Sequence, residues 1–165
     1  MVRLTSDCPI IDPNVIDKVI KYYLDHHNID YVSKTLQRSY PRGMDTEVFS
    51  YKVLDEAYNE AVEKNEREHV TSFIRNHPER YLLANVTYKE NQSKHRWTVD
   101  TIEDFISLKR IIDNLYPENP QFTCEDALKL LKKFPQWALI NQHIEQKKIE
   151  SVSPCEYIYS NRRFY

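Results

Sequence analysis

Glycine is nearly absent from this chain. Average usage would place roughly a dozen in a protein of this length, yet Gly43 stands alone among 165 residues. A loop that wraps phosphate oxygens in backbone N–H groups cannot be assembled from one glycine, so any phosphate cradle lies elsewhere. Cysteine is scarce too. Cys8, Cys124 and Cys155 are odd in number and widely spaced, which fits neither a disulfide framework nor a zinc knuckle, and free thiols are expected. No apolar stretch approaches the length of a membrane span, and the N-terminus lacks the basic region and apolar core of a signal peptide. A cytoplasmic protein without membrane contact is the expectation. An excess of one charge is also missing. Lysine and arginine (23) nearly cancel aspartate and glutamate (25), and no dense basic run stands out, which argues against nucleic acid as a partner.

What is present suits one ordinary core, since 41% of the residues are hydrophobic. Strands and helices alternate along it. Val2 to Ser6 reads as a strand, then Asp12 and Pro13 as the N-cap and first residue of a helix to about His26. Its apolar positions Val15, Ile16, Val19, Ile20, Tyr23 and Leu24 recur at steps of three and four. His26 and His27 read as residues closing that helix, where imidazolium suits the dipole. Tyr31-Val32-Ser33 is the next strand, followed by a turn-rich basic loop from Arg38 to Gly43. Thr46 to Phe49 alternates as a strand, Ser50 caps a helix to about Val62, and another helix from about Glu66 to Asn76 ends before Pro78. Tyr81 to Tyr88 suits an internal strand and Arg96 to Val99 a further one. Thr101 with Asp104, and Thr123 with Asp126, are variant capping boxes. The first opens a helix expected to bury Phe105, Leu108, Ile111, Ile112 and Leu115. The second opens one to about Phe134, with another over Pro135 to Ile144. The stretch after Lys147, including Tyr157, Tyr159 and Tyr165, has no clear period.

Two short stretches bear on chemistry. In Arg3-Leu4-Thr5-Ser6-Asp7-Cys8-Pro9 and in Arg96-Trp97-Thr98-Val99-Asp100-Thr101, a β-favouring run ends in an aspartate just before a helix-start signal. Asp7 and Asp100 are therefore expected where strands give way to helices, the edge at which open α/β sheets bind ligands. Two carboxylates meeting there would repel unless a cation lay between them, and a hard divalent cation bridging to phosphate oxygens is the usual answer. Taken singly, each has a plainer reading, Asp7 as a loop-start residue and Asp100 as the neighbour of a capping threonine.

The runs RLTSDCPIIDP, RSYPRGMDTEVFS, EREHVTSFIRNHPE and RWTVDTIEDF, taken in order, resemble the cytidylyltransferases of the spore-coat polysaccharide and acylneuraminate (CMP-sugar synthetase) type. The resemblance implies a nucleotidyltransferase fold: a Rossmann-like, three-layer α/β domain with a mixed, mostly parallel sheet. It implies transfer of CMP from CTP to an acidic or amino sugar, with release of pyrophosphate, for surface polysaccharide or glycan biosynthesis. Carried over residue by residue, it makes Asp7 and Asp100 the ligands of a Mg²⁺ cofactor. Arg3, Arg42, Asp45, Glu47 and Glu68 become substrate-binding residues, with Arg42 suited to a bidentate pair with a sugar carboxylate. His69 and Arg96 become catalytic residues, because an imidazole titrating near neutral pH suits proton transfer and a guanidinium suits phosphate. For Arg96 a salt bridge to a nearby acid is the alternative.

The sequence departs from that family at its front. Members carry a Gly- and basic-rich loop of the form G-S-x-R-L-P-G-K that holds the triphosphate, and no such loop is present here. Ser6 also stands where the family commonly has glycine. The expectation is a truncated domain, the C-terminal two thirds of an enzyme without its N-terminal strands. Residues 1–147 would form the C-terminal part of a cytidylyltransferase-like domain, with 148–165 as a tail. The partners then expected are CTP and a sugar, with an N-terminal half chain or a second copy covering the bare sheet edge. The alternative is an inactive truncated module that binds a sugar phosphate or a partner chain.

Overall fold

The computed structural model describes residues 1–145 and is organised by a four-stranded mixed sheet. β1 (Val2–Arg3), β3 (Glu47–Phe49), β2 (Tyr31–Ser33) and β4 (Leu83–Asn85) lie side by side in that order. β2 and β4 run parallel, while β3 lies antiparallel between β1 and β2. The α/β class is as expected. Parallel pairing among the described strands is limited to β2 and β4, because residues 34–46 return without a crossover helix and bring β3 back antiparallel.

Side-chain alternation sets the two faces of the sheet. Val32 and Val48 meet Val19 of α1 (Pro13–Asp25) on one face. Tyr31 and Phe49 point the other way, onto Val53 and Ala57 of α2 (Tyr51–Glu60) and Phe73 and Ile74 of α4 (Ser72–Asn76). Helix, sheet and helix thus form the expected layers. A further cluster surrounds Trp97, Tyr40 and Met44, closed by Leu108 and Ile111 of α5 (Ile102–Leu115) and Leu131 of α6 (Cys124–Lys133). Asp12 ties this cluster to α1. Its Oδ1 accepts from the Asn14 N–H at 2.8 Å, and its Oδ2 accepts from the Cys124 N–H at 2.8 Å. One buried carboxylate thereby satisfies orphan donors at the starts of two helices. Both threonine capping boxes form, and Ser50 caps α2 through the Val53 N–H at 3.1 Å. His26 closes α1, its ring Nδ1 2.8 Å from the Tyr22 carbonyl oxygen.

Several expectations are corrected. Arg96 to Val99 is not a strand; it makes one isolated bridge, Arg42 with Arg96. Its extended backbone is spent on holding the basic loop, through Trp97 N–H to Arg42 O at 2.8 Å and Arg42 N–H to His95 O at 2.9 Å. β4 is a half-buried edge strand of the described sheet. The helix expected over Glu66 to Asn76 is two, α3 (Lys64–Glu68) and α4, parted at His69-Val70-Thr71. β-branched Val70 and Thr71 favour the break, and the Thr71 hydroxyl is better used on Glu47, to which it donates at 2.9 Å. Only Pro135–Ala138 (α7) is helical of the segment to Ile144. In α5 the inward stripe includes polar Asp104 and Ser107, while Phe105 is exposed. The boundary at Lys147, Cys155 and the tyrosines of the tail lie outside the described residues.

Gly43 is the place where glycine is indispensable. Its φ is +96°, and an added Cβ would lie 2.4 Å from the Trp97 carbonyl oxygen. A side chain there meets both a disfavoured backbone conformation and a backbone atom that cannot step aside. Gly43→Ala is expected to destabilise the fold by about 3 kcal/mol, read from chemical denaturation. An unchanged midpoint would mean that the loop and Trp97 are not held together as described.

Candidate active site

Register brings three strand ends to one rim of the sheet. Arg3 and Ser33 both pair with Glu47, so the ends of β1 and β2 and the start of β3 coincide. From that rim the chain runs on to Asp7 after β1 and to Thr35 after β2, and it arrives at β3 through Asp45. A cleft of about 360 Å³ opens there. The Val99 N–H donates to the Asp7 carbonyl oxygen at 3.0 Å, which clips the Asp7 loop to the segment leading into α5. Asp7 and Asp100 both line the cleft.

Seven of the nine residues singled out from the sequence line it: Arg3, Asp7, Arg42, Asp45, Glu47, His69 and Asp100. Glu68 does not. It is exposed at the end of α3. Arg96 lies beneath the cleft, where its guanidinium is buried. Its Nε donates to Asp104 Oδ1 at 2.9 Å, and its Nη2 donates to Asp100 as well as to Asp104. The salt bridge is thus what the structure contains, and Arg96 acts as a positioning residue for Asp100. Asp104 is fully buried and also accepts from Asn141 at 2.8 Å. Burial alone would raise its pKa, but the hydrogen bonds from Arg96 and Asn141 hold it below the usual carboxylate range.

Within the cleft most charges cancel in pairs. Arg38 grips Asp45 with two bonds, at 2.6 and 2.8 Å. Glu47 is buried and accepts from the Tyr31 hydroxyl, Thr71 and Arg3. Desolvation first, then the Glu47 charge, pushes the Tyr31 phenol well above its ordinary range. Among the described residues Arg42 makes no ion pair; burial and then the neighbouring Arg38 lower its pKa, while the charge of Asp100 also reaches it. Thr5, Thr35, Arg38, Thr71, Arg75 and Thr98 also line the cleft without having been singled out beforehand. For Arg38 the basic loop was a visible signal. Arg75 lay in the run from Glu66 to Glu79, but a continuous helix there would have set its side chain differently.

The donors facing a cation are carboxylate oxygens. Asp100 is half-exposed, with Oδ2 engaged by Arg96 and by the Thr98 hydroxyl at 3.4 Å. Among the described residues no group of three or more histidine, cysteine, aspartate or glutamate side chains is arranged to hold a metal.

This architecture has known counterparts. A solved structure of a cytidylyltransferase from Leptospira borgpetersenii superposes with a TM-score of 0.80 and 32% identity, over 88% of this chain and 60% of that one. The fold of this chain matches about three fifths of that cytidylyltransferase. Sequence comparison supports the same family. The chain is 33% identical over 141 residues to the spore coat polysaccharide biosynthesis protein SpsF of Bacillus subtilis, covering 84% of this chain and 57% of that protein. An uncharacterized protein of Methanocaldococcus jannaschii, MJ1063, is 32% identical over 157 residues, covering 92% of this chain and 61% of its own length. The chain therefore spans about three fifths of the length of the curated relatives it matches. No protein-family model matches it. Among the described residues no helix is long and apolar enough to cross a membrane.

Proposed function

We propose that this chain carries the metal- and acceptor-binding part of a cytoplasmic site that transfers CMP from CTP to a sugar, acidic or amino, releasing pyrophosphate. The product would serve surface polysaccharide or glycan synthesis. One observation carries the reading: Asp7 and Asp100, remote in sequence, line a single cleft at the rim of a cytidylyltransferase fold.

Their oxygen-only chemistry fits Mg²⁺, which takes one or two protein carboxylates and keeps several waters. Bound there, the ion would neutralise charge on the phosphate oxygens and the departing pyrophosphate. The remaining work falls to the protein. Arg96 and Thr98 fix the Asp100 carboxylate, so its orientation is set before the nucleotide arrives. Arg42 offers a guanidinium free to meet an anionic group. Asp45 and Glu47, though engaged, keep lone pairs for sugar hydroxyls, since a carboxylate has about four acceptor sites. His69, at the end of α3, takes the proton from the attacking hydroxyl. Arg3 holds Glu47 in place from β1.

The test is pyrophosphate release from CTP and a panel of sugar acids and amino sugars with Mg²⁺. The chain would be assayed alone and with a polypeptide that supplies the glycine-rich triphosphate loop. Acceptor-dependent release in the mixture is expected, and none from the chain alone. Sugar binding without turnover in either arm would show a binding module instead, and binding of neither substrate would overturn the assignment.

A further inference from the structure

We propose that Arg75 is a specificity-determining residue that binds an oxyanion substituent of the acceptor, a phosphate monoester or a carboxylate. The proposal rests on the cytidylyl-transfer reading and deepens it. Arg75 belongs to α4, whose Phe73 and Ile74 are buried in the core against Tyr31 and Phe49, so the backbone that bears it is firmly anchored. From there its side chain lines the cleft. One amino group is steadied by the Ser72 hydroxyl, to which Nη2 donates at 3.1 Å. Its Nε is buried and, among the described residues, has no hydrogen-bond partner.

A buried donor on a charged group left without an acceptor is destabilising, because the water it lost is not replaced. The adjacent carboxylate does not relieve it. Glu47 already accepts from Tyr31, Thr71 and Arg3. The two other cationic side chains on the same rim are neutralised differently, Arg3 by Glu47 and Arg38 by Asp45. Arg75 thus brings to the cleft wall a charge that no carboxylate cancels among the described residues, and a buried Nε donor still without an acceptor. It does so at the end marked by Tyr31 and Glu47, where its charge reaches the Tyr31 phenol. Arg42, the other cleft guanidinium without an ion pair among the described residues, feels the charge of Asp45 and then that of Asp100. An oxyanion is the ligand whose charge and lone pairs match the planar donor fork of a guanidinium. Held by Arg75, such a group would bind beside Tyr31 and Glu47 rather than beside Asp100, whose charge reaches Arg42 instead. It therefore belongs to the acceptor rather than to the triphosphate.

The experiment follows the arginine Nε–H resonances by ¹H–¹⁵N NMR while a hexose 6-phosphate, a uronic acid, the parent neutral hexose and pyrophosphate are titrated in. The resonance missing from Arg75→Gln identifies Arg75. The expected result is a large shift of that resonance with the phosphate or the acid but not with the neutral hexose. Affinity for the responding sugar should fall at least tenfold in Arg75→Gln, with a similar loss in Arg75→Lys, which lacks the planar fork. The melting temperature of each variant checks that the fold is kept. Whichever sugar responds names the source of the oxyanion. Equal affinity in wild type and Arg75→Gln overturns the proposal. So does a loss confined to pyrophosphate, which would assign Arg75 to the nucleotide. Because binding is read without turnover, failure here is distinct from failure of cytidylyl transfer itself.

Discussion

Asp7→Asn and Asp100→Asn are each expected to weaken divalent-cation binding roughly 100-fold, by analogy with the effect of perturbing a metal site's ligand sphere. Mn²⁺, titrated by paramagnetic line broadening, is the convenient probe. The amide keeps the shape of the side chain but removes the charge that makes a hard cation leave its water. Asp100 is the more informative of the two. Its carboxylate already shares a proton-rich neighbour in Arg96, and that guanidinium remains compensated by Asp104 when Asp100 is neutralised. The fold should therefore survive the change, and the loss should be confined to the ion. Unaltered Mn²⁺ binding in both variants would remove the two aspartates from the metal site and leave the cleft without its assigned chemistry.

The largest stability change is expected from removing a charge that the fold tolerates poorly. Lys34 has no exposed surface, and among the described residues its Nζ lacks a hydrogen-bond partner. Its ammonium sits 4.6 Å from the centre of the Tyr40 ring, a cation–π contact that offsets only part of the lost hydration. Desolvation above all pulls its pKa down from 10.5 to about 7, with the Asp45 charge opposing and Arg38 reinforcing the shift. Cys124 and Cys8 also face it and oppose the shift weakly. Between these two pKa values the unfolded chain binds the proton that the folded chain gives up. Stability from this group therefore rises as pH climbs from about 7 towards 10.5 and is lowest below that window. Lys34→Met keeps the stem and removes the charge. It is expected to stabilise the protein at pH 7 by about 3 kcal/mol, or roughly 10 °C in Tm. Buried phenols and thiols such as Tyr31, Cys8 and Cys124, whose pKa values are raised by burial, pull the other way at alkaline pH. The quantity to measure is thus the difference between wild type and variant, which should shrink from pH 7 to pH 10. A variant less stable than wild type at pH 7 would show that the ammonium is well compensated where it lies.

Much of this was legible in the chain. Asp12-Pro13 announced α1, Ser50 announced α2, and the two threonine–aspartate boxes announced α5 and α6, because a cap is a local hydrogen bond between residues two or three apart. The strand at Tyr31-Val32-Ser33 was also legible, from a short β-favouring Tyr-Val pair, and the structure buries it fully. The convergence of Asp7 and Asp100 was legible as chemistry, since both close β-favouring runs before a helix start. Arg96 to Val99 misled for a related reason. The run has the composition of a strand and an extended backbone, but its partner is the loop at Arg42 and not the sheet. Glu68 misled through position, for it was read beside His69 on a helix that in fact ends between them.

By itself the sequence determined the capped helices α1, α2, α5 and α6 with their starts, and the α/β class, because these depend on neighbours along the chain. Only the tertiary structure decided which charges remain uncancelled. Arg38, Arg42, Arg75 and Arg96 are alike in a sequence. Arg38 and Arg96 are neutralised by aspartates that follow them closely along the chain, and among the described residues Arg42 and Arg75 line the cleft without a carboxylate partner. That division depends on strand register and on a three-residue break between helices, and neither can be computed from any stretch of the chain taken alone.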